Sequence, residues 1–163
     1  MEIDETIHVP ADVRTVWSLL SDPRAVVECV EGASLGEQLE DGSYDARMIV
    51  RFGPAKVGFG ARVAIEMDER ARSGTVASRG KDSQGGTRFS ASTVFRVLAP
   101  EDGNGSSIHI RSKVEITGRL ASLIESGASL VVKRMTRDFS ERLAARCAAA
   151  QPIAGTPGQT VGT

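Results

Sequence analysis

With 163 residues, 40% of them hydrophobic and 25% charged, the chain has the composition of a soluble globular domain with room for a packed core. A net charge of −1 provides no basic footprint for nucleic acid, and no run reaches the ~18 apolar residues that would span a bilayer. The acidic N-terminus lacks the long apolar stretch of a secretory signal, so a cytoplasmic protein is expected.

Ile7–Val9 ends a short alternating strand, and an amphipathic helix follows Pro10. Val13, Val16, Trp17 and Leu20 share one face of it. Pro10 can open the helix, because the N–H it lacks would be unpaired there anyway. Ser21-Asp22-Pro23 closes it, since a residue before proline avoids the helical region. Arg24–Cys29 reads as a second short helical turn ending at Glu31-Gly32.

Period-2 alternation then takes over. Strands are predicted over Leu35–Leu39, over Ser43–Phe52 after an Asp41-Gly42 turn, and over Val57–Glu66 after Gly53-Pro54. Asp68–Arg72 is a polar connection, Ser73–Arg79 a weaker strand, and Gly80–Gly86 a Gly-rich loop. Further strands run over Arg88–Val97 and Ile108–Ile116, separated by turn chemistry at Glu101–Gly105. One polar and one apolar face on each strand is the mark of an antiparallel sheet solvated on one side. At Gly118 the period changes to 3.6. Leu120, Leu123, Ile124, Gly127, Val131, Met135, Phe139 and Leu143 then trace one stripe of a helix reaching about Ala150. Residues 1–150 are therefore expected to form one α+β domain, a curved antiparallel sheet of six to seven strands around a long C-terminal helix. Residues 151–163, rich in Gly, Pro and Thr, are expected to be a flexible tail.

Three segments carry a family resemblance: VPADVRTVWSLLSDPRAVVECVEG, VRFGPAKVGFGARVAIEMDE and VEITGRLASLIESGASLVVKRMTRDFSERLAA. Up to about Ala150 the chain resembles the G-subunit proteins of carbon monoxide dehydrogenase. These fall within the superfamily of steroidogenic-regulatory-type lipid-transfer domains, pollen allergens and polyketide cyclases. The family usually has Pro-Gly where this chain has Glu31-Gly32, a departure confined to a loop. The resemblance implies a helix-grip fold with an apolar cavity, without metal, cofactor or covalent chemistry. It also implies an accessory role beside a molybdenum hydroxylase, with an apolar ligand of the isoprenoid quinone kind.

The residues themselves carry no catalytic set. His8 and His109 each occupy the polar side of a strand, outside any cluster of converging metal ligands. Cys29 and Cys147 are expected to be buried free thiols, one beside Glu28 and one late in a helix, both unfavourable settings for a thiolate. The acid pairs Glu40-Asp41, Asp68-Glu69 and Glu101-Asp102 are turn residues. Gly58-x-Gly60 lies inside a strand, where glycine marks a bend rather than a nucleotide loop.

Only five Phe, one Trp and one Tyr are present, and the inward strand faces carry Ala46, Ala61, Ala91, Thr93 and Ser112. A broad sheet facing such small groups either collapses on the helix or keeps a pocket. The candidate ligand-binding lining is Met48, Phe52, Phe59, Val63, Phe89, Phe95, Val131, Met135 and Phe139. An enzyme of the cyclase type would instead need Tyr44, Arg47 or Ser112 inside the cavity, and an assembly factor would need no cavity at all. The final helix carries Arg119, Lys133, Arg134, Arg137, Arg142 and Arg146, diluted by Glu125, Asp138 and Glu141; a solvated outer face is the expectation, with a peripheral contact at the inner face of a membrane or a docked partner as the alternative.

Overall fold

The computed structural model describes residues 1–150; the predicted tail at 151–163 lies outside them. The elements are β1 (Glu2–Val9), α1 (Val13–Leu20), α2 (Pro23–Glu28), β2 (Ala33–Gln38), β3 (Tyr44–Phe52), β4 (Ala55–Asp68), β5 (Ser73–Asp82), β6 (Thr87–Leu98), β7 (Ser106–Gly118) and α3 (Ala121–Ala150). The seven strands form one antiparallel sheet in the order β1-β7-β6-β5-β4-β3-β2. Every neighbour but one is also a neighbour in sequence; the exception joins the first strand to the last, with Ile3 opposite Ser112 and Ile7 opposite Ile108.

Local chemistry sets the breaks. Asp12 is the N-cap of α1 and accepts the Thr15 N–H at 2.7 Å, which satisfies a donor the first helical turn leaves free. The cap thus lies two residues beyond Pro10, the expected start. Asp22 caps α2, with Pro23 inside its first turn. Gly32 has φ +81°, and a Cβ there would lie 2.4 Å from the Ile49 carbonyl oxygen, so the glycine of the Glu31-Gly32 pair is the half that the fold requires. The predicted loop at Gly80–Gly86 is shorter in the structure, because Gly80–Asp82 continue β5. Gly80 pairs with both Ala61 and Phe89, and the buried Asp82 carboxylate accepts the Thr87 N–H at 3.1 Å. That bond ties the ends of the hairpin together and leaves only Ser83–Gly86 as the turn.

The helix α3 has 30 residues, about 45 Å at 1.5 Å per residue, and packs against β1, β3 and β7. The core is divided between its two ends. Toward the C-terminus, Leu143 and Cys147 close with Ile7, Val9, Val16, Trp17, Leu20, Cys29, Val97 and Ile108 into a dense cluster. Toward the N-terminus, Ile124 and Val131 meet Val50, Phe52 and Val57 of the β3–β4 hairpin. An ion pair between Arg146 and Glu28 fastens the end of α3 to α2.

Candidate functional site

The second of these clusters is incompletely filled. A cavity of about 370 Å³ lies between the sheet and α3. Its origin is visible in the strand register. Ala46 of β3 stands opposite Ala61 of β4, which stands opposite Gly80 of β5. Three strands thus present almost no side-chain volume along one row. Gly80 is required there, since a Cβ would fall 2.1 Å from the Gly60 carbonyl oxygen. The neighbouring row, Val63–Ser78–Ala91, is only slightly bulkier. The inward residues Ala46, Ala61, Val63, Ser78 and Val114 remain only partly buried. Such positions would be fully enclosed if the helix touched them, because interiors otherwise pack to crystal density.

Larger groups surround this hollow. Phe59 and Phe89 meet edge to face, with ring centroids 5.6 Å apart and planes at 88°. Phe52, Met48 and Ile116 extend that wall, and Ile124, Ala128, Val131 and Met135 of α3 cover it. Val27 of α2, Ala33 and Ser34 of β2, and Val132 of α3 complete the lining, which is almost wholly apolar apart from Ser34, Arg47 and Ser78.

Of the nine residues expected in the lining, Met48, Phe52, Phe59, Val63, Phe89, Val131 and Met135 come together here. Phe95 and Phe139 do not; both pack against the dense cluster. Phe95 lies over Gly74, where a Cβ would come within 2.6 Å of its ring. Its ring faces Trp17, 6.3 Å away between centroids. Phe139 precedes Leu143 by one helical turn and shares its surroundings. Sequence reading missed Met1, Ile3, Val27, Val50, Val114, Ile116, Ile124 and Val132. Strand parity already placed Val114 and Ile116 inward, whereas Val27 and Val132 reach the hollow through tertiary packing that no local period records.

The polar inventory is sparse. Tyr44 and Ser112 do not line the cavity, and Ser112 is hydrogen-bonded to Thr93 across the β6–β7 pair. His109 Nε2 lies 2.9 Å from Asp4, and His8 Nδ1 lies 3.1 Å from the Ser107 hydroxyl, both on exposed strand positions. Cys29 and Cys147 are free and buried, and burial pushes both thiols up from their ordinary value, so they are held as thiols rather than nucleophilic thiolates. Among the described residues, no set of three or more His, Cys, Asp or Glu is placed to hold a metal ion. No helix there is long and apolar enough to cross a membrane.

Residues 6–148 match the model of the CoxG family, the G subunit of carbon monoxide dehydrogenase. The chain belongs to that family. No curated protein matches it. Among solved structures, a conserved protein from Geobacillus kaustophilus superposes with a TM-score of 0.78 at 20% identity, over 92% of this chain and 97% of that one. The Zhui aromatase/cyclase from Streptomyces sp. R1128 gives 0.60 at 13% identity, over 99% and 98%. A START superfamily protein from Mycobacterium smegmatis gives 0.54 at 16%, over 91% and 98%. At these identities the likeness establishes the helix-grip fold. The CoxG family and this fold together indicate binding of a hydrophobic small molecule.

Proposed function

We propose that this CoxG-family protein is a non-catalytic carrier that holds an apolar, quinone-like molecule beneath α3 and serves a molybdenum hydroxylase as an accessory. The observation that supports it is the cavity, with its small-residue floor, aromatic wall and near absence of polar groups. At about 370 Å³ it falls at the small end of the range for ligand pockets, ~300–1,000 Å³. That size suits a substituted ring and the first part of a side chain, with Met48, Phe52, Phe59, Val63, Phe89, Val131 and Met135 as contacts. Ser78 is the inward-facing polar side chain of the lining within reach of a ring carbonyl.

A catalytic role would need a titratable group desolvated beside the reacting atoms. Among the described residues, the one ionisable side chain in the lining is Arg47, and it is exposed. The reading is tested by native mass spectrometry and thermal denaturation with short-chain ubiquinone and menaquinone analogues. A one-to-one adduct and a concentration-dependent rise in Tm are expected, because a ligand selective for the folded state stabilises it by mass action. No adduct and no shift with either analogue would refute the carrier reading. Turnover of an aromatic polyketide without quinone binding would replace it with the cyclase reading.

A further inference from the structure

The outer face of the same strands has a different character. Parity sends Arg47, Arg62, Arg79, Lys81 and Arg88 outward, all exposed. They line an open groove of about 1030 Å³ whose lining also includes Gly58 and Gly60. A Cβ built on Gly60 meets nothing within 4 Å, so this part of β4 is a depression in the sheet surface. Among the described residues, Arg62 alone of the five has an ion-pair partner, Asp45 at 3.5 Å.

The register makes this arrangement costly. Arg62 stands directly opposite Arg79, and Lys81 opposite Arg88. Like charges directly opposed across antiparallel strands destabilise a sheet. Where β1 meets β7 the same sheet pairs opposite charges: Glu2 faces Lys113 and Asp4 faces Arg111, with Arg111 and His109 both on the Asp4 carboxylate. Against these five cations the groove lining holds two carboxylates, Asp45 and the buried Asp82, so a chain of net charge −1 carries an excess of cations on one depressed surface.

We infer that this glycine-floored groove across β3–β6 docks an acidic segment of a partner protein. Carboxylates entering it would form charge-assisted bonds with the arginines, two-pronged where geometry allows, and would relieve the repulsion between the opposed cations. The shape favours a chain segment over a bilayer, because a flat surface reaches the arginine tips and not the floor. Ile49 is 52% exposed and also lines the groove, so an apolar residue within the acidic segment has a seat. Outward positions on these four strands hold no aromatic side chain on which nucleic acid bases could stack.

The test uses the full chain and a labelled Glu-rich decapeptide containing one leucine. Saturable binding is expected, weakening steeply with salt. Combining Arg79→Ser with Arg88→Ser should weaken it roughly tenfold or more, while Tm stays the same or rises and quinone binding in the cavity is unchanged. The control pair Arg111→Ser and Lys113→Ser should leave peptide binding intact. The inference is overturned if the wild-type chain ignores the peptide at low salt or if the Arg79/Arg88 variant binds it equally well. It is equally overturned if phosphatidylglycerol vesicles or duplex DNA, and not the peptide, lose binding in that variant.

Discussion

Replacing Ala61 by leucine separates a hollow interior from a filled one. Ala61 lies in the middle of the small-residue row, flanked by Ala46 and Gly80, and it lines the cavity. Leucine adds three carbons. Each buried carbon contributes ~0.8 kcal/mol, about 2.4 kcal/mol in all, offset by about 0.5–1 kcal/mol of lost rotamer freedom. The variant should therefore be about 1.5 kcal/mol more stable in urea denaturation, or ~3–6 °C higher in Tm for a chain of this size. The same leucine would occupy ligand space, so the Tm rise given by a quinone analogue should shrink or vanish. The comparison is Val16→Leu in the dense cluster, where Val16 is 0% exposed and one added methylene should cost ~1–3 kcal/mol through overpacking. If Ala61→Leu instead lowers stability as Val16→Leu does, the row beneath α3 is already filled and the carrier reading loses its basis.

Three other outcomes are expected. Gly127→Ala should stabilise by up to ~1 kcal/mol in chemical denaturation, because alanine is the better helix former; its Cβ would lie 3.3 Å from the Phe52 ring, but that ring has the cavity to move into. Cys29 and Cys147, both nearly inaccessible and with raised pKa values, should react with a thiol reagent at pH 8 only as fast as the protein unfolds; rapid labelling of the native chain would contradict their placement. Hydrogen bonds from Thr15 and Ser43 hold the Asp12 and Asp41 carboxylates below their ordinary value of 3.8. Their contribution is present above that value and is lost as pH falls through the lower folded-state values. Asp12→Ala should thus destabilise by about 1 kcal/mol at pH 7, with the difference from wild type fading in acid.

Element type and order were legible because most strands alternate apolar and polar residues over much of their length and α3 keeps one stripe of apolar residues. Where the reading failed, the cause was tertiary. Gly80-Lys81-Asp82 resembles a loop by composition, yet a carboxylate five residues from Thr87 and a glycine pressed on the neighbouring strand keep it in the sheet. Phe95 shares the inward face with Phe89, and parity cannot tell them apart. Gly74 opposite Phe95 draws its ring toward Trp17, whereas Gly80 opposite Phe89 leaves that ring over the empty row. The distinction lies in the cross-strand partner, which the sequence does not align until the register is known.

The placement of small residues explains why one helix can both close a core and roof a cavity. The C-terminal half of α3 meets large side chains from β1, α1 and β7, so Leu143 and Cys147 there are each only 1% exposed. Its N-terminal half meets alanine and glycine rows, so burial there rests on a few contacts with Phe52, Val50 and Val57. A ligand entering beneath that half would replace missing protein contacts rather than displace existing ones. Binding and folding therefore need not compete for the same apolar surface, and the stability lost by leaving the row unfilled is what an apolar guest would restore.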